Sequence, residues 1–84
     1  MELKLRMVED GRFELDVRDS VCPFPQLFTE MALGKVGKGT LVVITNNPPS
    51  ARDIPMVLRE RGYRVEVEKE GGIFRIVVRI DGHH

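Results

Sequence analysis

One cysteine is all the thiol chemistry this sequence contains, and tryptophan is absent. A lone cysteine cannot build an intramolecular disulfide framework, a multi-cysteine zinc site or a CxxC dithiol cycle. The only histidines are His83 and His84, at the end of the sequence. Classical Cys–His nucleophilic catalysis therefore has no obvious base, and neither a metal site nor a cofactor is expected. An excess of one charge is missing too, since thirteen Lys+Arg balance thirteen Asp+Glu. That balance argues against a protein built mainly to coat nucleic acid, although a local basic patch is compatible with it. No apolar run approaches the roughly 20 residues of a membrane span. Met1-Glu2-Leu3-Lys4-Leu5-Arg6 interleaves charges with apolar residues, so no signal-peptide core is read there. A cytoplasmic protein without a membrane partner is expected.

What is present suits a small globular fold. The 84 residues are 42% hydrophobic and 31% charged, enough for one domain over residues 1–84 and too few for two cores. One Gln and two Asn among many Arg, Glu, Val and Ile lean toward a heat-adapted source. The closing Gly82-His83-His84 is either native or the start of a purification tag, so residues 81–84 carry no functional weight.

Hydrophobic periodicity supplies the elements. Leu3, Leu5 and Met7 alternate with Glu2, Lys4 and Arg6, and Phe13, Leu15 and Val17 alternate with Arg12, Glu14, Asp16 and Arg18. Both runs read as half-buried strands joined at Asp10-Gly11, a favoured hairpin turn pair. Phe24, Leu27, Phe28, Met31 and Ala32 recur at helical spacing, which predicts a helix over 24–36 ended by the glycines at 34, 37 and 39. Thr40–Thr45 reads as a central strand buried on both faces. Asn46-Asn47-Pro48-Pro49 reads as a loop. Ser50 then suits the cap of a second helix, with Asp53 in the capping-box position and Ile54, Val57 and Leu58 facing inward. Pro55 fits that helix badly, so the helix either starts near Asp53 or bends at the proline. Tyr63, Val65 and Val67, then Phe74, Ile76, Val78 and Ile80, form a closing hairpin about Glu70-Gly71-Gly72. The order (β)βαβαββ predicts a two-layer α/β (α+β) sandwich. Two helices cover one face of a mixed four-stranded sheet over about residues 13–80, with an extra strand and turn from residues 1–11.

Cys22 stands where a strand ends and a helix begins, followed by Pro23, Phe24 and Pro25. A free cysteine is often a small core hydrophobe, but strand–helix junctions lie at domain surfaces. The first turn of a helix offers unpaired N–H groups and the positive end of the helix dipole, both of which favour a thiolate. Pro23 and Pro25 subtract two donors and stiffen the loop. A lone activated thiolate can carry a group, such as a sulfane sulfur held as a persulfide, or it can sense oxidant.

Leu15-Asp16-Val17-Arg18 and Cys22-Pro23-Phe24-Pro25, followed by Asn47-Pro48, Asp53-Ile54-Pro55 and Gly62-Tyr63, resemble the TusA/SirA-like sulfur-carrier family with its CPxP motif. The resemblance spans about residues 13–80. It implies a sulfurtransferase-type carrier in which Cys22 takes sulfane sulfur from a cysteine desulfurase or rhodanese-like donor. The sulfur is held as a persulfide and passed to a downstream acceptor, as in tRNA thiolation or another sulfur relay. It also implies that Pro23 and Pro25 shape the loop, that Asp16 and Arg18 hold the strand end, and that Asp53 with Pro55 belongs to the second motif, Asp53 capping its helix. The chain departs from the family pattern at Asp19-Ser20, where Gly-Leu is usual, and at Met56-Val57, where an aromatic is usual. Aspartate tolerates the left-handed backbone better than most residues.

Other features admit two readings. Lys35, Lys38 and Arg52, at helix ends, either form a docking surface for an acidic partner or RNA, or are a solvated face of dispersed charge. Phe24 either docks a partner beside Cys22 or belongs to the core with Phe28. Gly37-Lys38-Gly39-Thr40 lacks Walker spacing and serves a helix stop equally well. A two-layer domain of this size could instead be an RNA- or protein-binding or regulatory module in which Cys22 is dispensable. The fold expected here resembles the C-terminal domain of a bacterial translation initiation factor. That reading predicts tolerance of Cys22→Ser and salt-dependent RNA binding.

Overall fold

The computed structural model describes residues 4–21 and 23–81. Cys22, the first three residues and the Gly82–His84 tail lie outside the described residues. The elements run β1 (Leu5–Glu9), β2 (Arg12–Asp16), α1 (Phe24–Val36), β3 (Gly39–Thr45), α2 (Pro48–Glu60), β4 (Arg64–Glu70) and β5 (Ile73–Ile80). They form a five-stranded sheet in the order β1-β2-β3-β5-β4. β2 and β3 are parallel, as a βαβ crossover requires, and the other neighbouring pairs are antiparallel. The expected four-stranded core with one added N-terminal strand is thus the architecture found.

Alternation sorts the two faces. Leu15, Leu41, Val43, Val65, Ile76, Val78 and Ile80 join Ala32, Leu33, Ile54 and Leu58 in the core between sheet and helices. The opposite face has no helix over it, yet Val42 is 1% exposed and Ile44 8%. Glu14 lies next to Val42 in the register. It pairs with Arg6 at 3.4 Å and Arg75 at 3.9 Å, and the stems of such long side chains can cover apolar surface while their heads stay in water. The central strand is therefore buried on both sides, as its unbroken apolar run predicts.

Gly39 shows why one glycine is obligatory. Its φ is +123°, and a Cβ there would collide with the carbonyl oxygen of Gly11. The same oxygen accepts the Thr40 N–H at 2.8 Å. The β1–β2 turn is thereby fastened to the start of β3. The register of the outermost strand β1 shifts between Met7 and Glu9 at a bulge. β4, outermost on the other side, carries charge at most positions.

Two expectations about the helices need correction. In α1 the buried residues are Pro25, Thr29, Ala32 and Leu33, while Leu27 and Met31 are each 51% exposed and Phe24 is 40% exposed. The helix is apolar on more than one side, and the position of β2 and β3 selects the stripe that is buried. Thr29 is admitted to it because its hydroxyl donates to the Pro25 carbonyl at 2.8 Å. In α2 the cap is Asn47, not Ser50, and the helix opens on Pro48-Pro49. Proline suits the first turn because its missing N–H would be unpartnered there anyway. Starting that early puts Pro55 inside the helix, where it is buried against the sheet and removes the N–H that would meet the Ala51 carbonyl.

Candidate functional site

The carboxyl ends of β2 and β3 lie side by side, and both helices start from that end of the sheet. Two short-range devices fix the chain after β2. The Asp16 carboxylate accepts the Arg18 backbone N–H at 3.0 Å and the Arg18 guanidinium at 3.0 and 2.7 Å. That hydrogen bonding draws the Asp16 carboxyl below the ordinary range and raises Arg18. Next, Ser20 N–H closes on the Val17 carbonyl at 3.2 Å. Asp19, the third residue of this turn, has φ +69°, the only positive φ outside glycine among the described residues. A left-handed residue at that place is what such a turn demands, so the aspartate does what a glycine would do.

Asp19 is also clamped across the sheet end. Its N–H donates to Asn46 Oδ1 at 3.1 Å, and Asn46 Nδ2 donates back to Asp19 Oδ1 at 3.3 Å. Asn46 begins the β3–α2 loop, which is ordered in turn. Asn47 N–H donates to the buried Thr45 Oγ1 at 3.1 Å, and Asn47 Nδ2 donates to Ser50 Oγ at 2.8 Å. Sequence reading did not pick out Asn46. Its only signal is an Asn-Asn pair at the end of a buried strand.

Cys22 itself is outside the described residues, but both neighbours are described. Val21 is 66% exposed and Pro23 is exposed. The Phe24 N–H donates to the Val21 carbonyl at 2.9 Å, and Leu27 N–H donates to Pro23 at 3.1 Å. Pro23 is the cap of α1 and Pro25 lies in its first turn. With two prolines and the Phe24 amide already engaged, the head of α1 acts on a nearby anion more through its dipole than through free donors. Phe24 stacks on Phe28 with ring centroids 6.2 Å apart. With Val21, Leu27 and Met31 it makes an exposed apolar strip that begins beside Cys22.

The remaining predicted residues fall in two places. Pro23, Gln26, Pro49, Ser50, Asp53 and Ile54 line one small cleft between the helices, so Asp53 belongs to the same end as the CPxP loop. It does not cap α2, because it lies past the first turn and its carboxylate accepts from Arg52 Nε at 3.0 Å. Arg52 is near that end as well. Lys35 lies in the last turn of α1 and Lys38 just before β3, at the other end of the domain, so the three cations do not form one surface.

A five-stranded mixed sheet covered on one face by two helices, with a proline-stiffened loop at the head of the first helix, defines a small two-layer α+β domain. The family model "Sulfurtransferase TusA" matches residues 13–80, and the chain belongs to that family. A putative sulfur carrier protein of Archaeoglobus fulgidus is 37% identical over 59 residues, covering 68% of this chain and 67% of the relative. The putative sulfur carrier protein YedF of Escherichia coli K12 is 29% identical over 68 residues, 79% of this chain and 88% of the relative. The fold matches the crystal structure of a SirA-like protein from Desulfitobacterium hafniense with a TM-score of 0.72. That match has 24% identity and covers 81% of this chain and 96% of that one.

Proposed function

We propose that this chain is a sulfur carrier that works through a persulfide on Cys22. The Cys22 thiolate attacks the outer sulfur of a donor persulfide. A new S–S bond forms at Cys22, the donor's S–S bond breaks, and the donor leaves as a thiolate. In the second step an acceptor thiolate attacks the outer sulfur on Cys22, and Cys22 departs as the thiolate it was. No net oxidant is consumed, because the sulfane sulfur keeps its oxidation state throughout.

The observation that carries this reading is the membership of Cys22-Pro23-Phe24-Pro25 in a sulfurtransferase family, at a loop whose two described neighbours are exposed. Rigidity supports it. The Asp16–Arg18 pair, the Asp19–Asn46 clamp and the two prolines hold the approach to Cys22, so little ordering entropy is lost when a partner docks. The exposed strip of Val21, Phe24, Leu27 and Met31 is continuous with that loop. It fits the sulfur donor, a cysteine desulfurase or rhodanese-like enzyme, as an apolar docking surface. The same loop, vacated, would then meet the downstream acceptor, in tRNA thiolation or another sulfur relay. No helix among the described residues is long and apolar enough to cross a membrane, and this supports partners met in solution.

The test is intact mass spectrometry of reduced protein after incubation with a cysteine desulfurase and cysteine, and separately with a rhodanese and thiosulfate. One added sulfur atom, removable by reductant and absent from Cys22→Ser, is the expected result. Failure with both donors, under conditions that load another carrier, would overturn the proposal.

A further inference from the structure

The nine arginines divide sharply. Arg6 and Arg75 pair with Glu14, Arg18 with Asp16, Arg52 with Asp53 and Arg61 with Glu30. Arg59 donates to the Val65 carbonyl at 2.9 Å. Arg12, Arg64 and Arg79 are exposed and have no ion-pair or hydrogen-bond partner for their guanidiniums among the described residues. These three are not scattered. Arg12 is in register with Thr40, Thr40 with Arg79, and Arg79 with Arg64. They form one row across β2, β3, β5 and β4, on the face without helices.

Such a row is unfavourable for folding alone. Arg79 and Arg64 are directly opposite, and like charges so placed repel. The adjoining rows are built differently: Glu14 and Glu66 flank Val42 and Val77 in one, and Asp16 and Glu68 flank Ile44 and Arg75 in the next. Glu9, in register with Arg12 on β1, is the one acidic residue in line with the row, and it forms no ion pair with it. Asp81 follows β5, lines one cleft with Arg64 and Arg79, and takes part in an interaction.

We infer that this row is a binding site for the phosphate backbone of structured RNA. With strands about 4.8 Å apart, the row from Arg12 to Arg64 is roughly 14 Å wide, enough to meet several phosphates. Guanidinium forks bind phosphate oxygens bidentately, and Thr40 adds a hydroxyl between two of them. Charge complementarity selects a polyanion. Charge dominates the row itself, since Val42 is buried, Val77 is half-buried, Phe13 and Phe74 share the parity of the helix-covered residues, and the exposed Met7 and Val8 lie on the edge strand β1 beyond Arg12. Without an aromatic platform for bases, recognition is by backbone and shape. The row lies at the end of the sheet away from the CPxP loop, so RNA binding does not need Cys22 and does not rest on the persulfide reading.

Fluorescence anisotropy with a labelled RNA hairpin tests the site, using the full chain in about 50 mM salt, where phosphate contacts are strong. The expected result is binding whose log–log salt slope is about −2 to −3, from three arginine–phosphate contacts. Arg12→Ala/Arg64→Ala/Arg79→Ala should weaken it at least about tenfold and flatten the slope. Arg52→Ala and Cys22→Ser should leave it unchanged. Because the row repels itself, Arg79→Ala should keep or raise the thermal midpoint, which separates lost binding from lost folding. Undetectable binding at low salt, equal binding by the triple variant, or poly-glutamate bound as tightly as RNA through the same arginines would each overturn the proposal. The last outcome would assign the row to an acidic protein instead.

Discussion

The two helices have the same length and nearly the same start, and they use their apolar residues in opposite ways. Each spans thirteen residues, opens on proline in its first turn and lacks a side-chain cap. α2 spends most of its apolar side chains on the sheet: Ala51, Ile54, Pro55 and Leu58 are buried, Met56 is half exposed, and Arg52, Arg59 and Glu60 face water. α1 buries a small stripe that includes a threonine and leaves Phe24, Leu27 and Met31 in solvent. Apolar surface left in water is retained at a cost in folding free energy, and on α1 it is retained next to the cysteine loop. One helix is a structural wedge, and the other is a wedge on its inner side with an exposed apolar strip on its outer side.

The same substitution on both helices should break the symmetry most clearly. Leu58→Ala, at a residue 2% exposed, is expected to cost about 2–5 kcal/mol. Leu27→Ala, at a residue 51% exposed, is expected to cost about 1 kcal/mol or less. Urea denaturation monitored by circular dichroism reads both, and equal losses would mean that α1 has no free face. A charge on the strip sharpens the functional half of the comparison. Leu27→Asp should slow sulfur loading from the desulfurase about tenfold, the effect of losing one interface anchor, with the fold intact by circular dichroism. Unchanged loading would remove the strip from donor docking.

The smallest effect concerns the approach to α1, which an ion pair braces where side-chain amides and hydroxyls order the approach to α2. Hydrogen bonding from Arg18 lowers the Asp16 pKa in the folded protein. The stability it contributes is therefore fully present above the ordinary aspartate range and is lost as pH falls through the lowered value. Asp16→Asn should flatten the acid limb of the stability–pH curve and leave its neutral region nearly parallel to wild type. An acid limb as steep as wild type would place the carboxylate outside the brace.

The difference between the helices also governs what could be read in advance. Ile54 and Leu58 announced the inner face of α2, because their spacing sets them against Arg52, Asp53, Arg59 and Glu60. On α1 the expected stripe of Phe24, Leu27, Phe28, Met31 and Ala32 is only partly the buried one: Ala32 is buried with Pro25, Thr29 and Leu33, and the neighbouring strands make that choice. The strand order, the β1–β2 turn and the span of α1 were legible because each has a local cause. The start of α2 was misplaced although Pro48-Pro49 carried the signal, since proline in a first turn looks like proline in a loop. The Asp19–Asn46 clamp was not legible, because it joins residues 27 apart in sequence. The arginine row was invisible for the same reason: it exists only once four strands are in register.

The bulge in β1 and the charges along β4 have a consequence for traffic. A sheet with bare edges invites strand addition by any extended peptide, including a second copy of itself, and such contacts are long-lived. Here one edge is bent at Met7–Glu9 and the other is lined with Glu66, Glu68, Lys69 and Glu70. Visitors are turned away from the backbone and left with side chains to hold, at the helix strip, the loop and the arginine row. A protein that must meet one partner, leave it and meet another is better served by grips of that kind, which release as readily as they form.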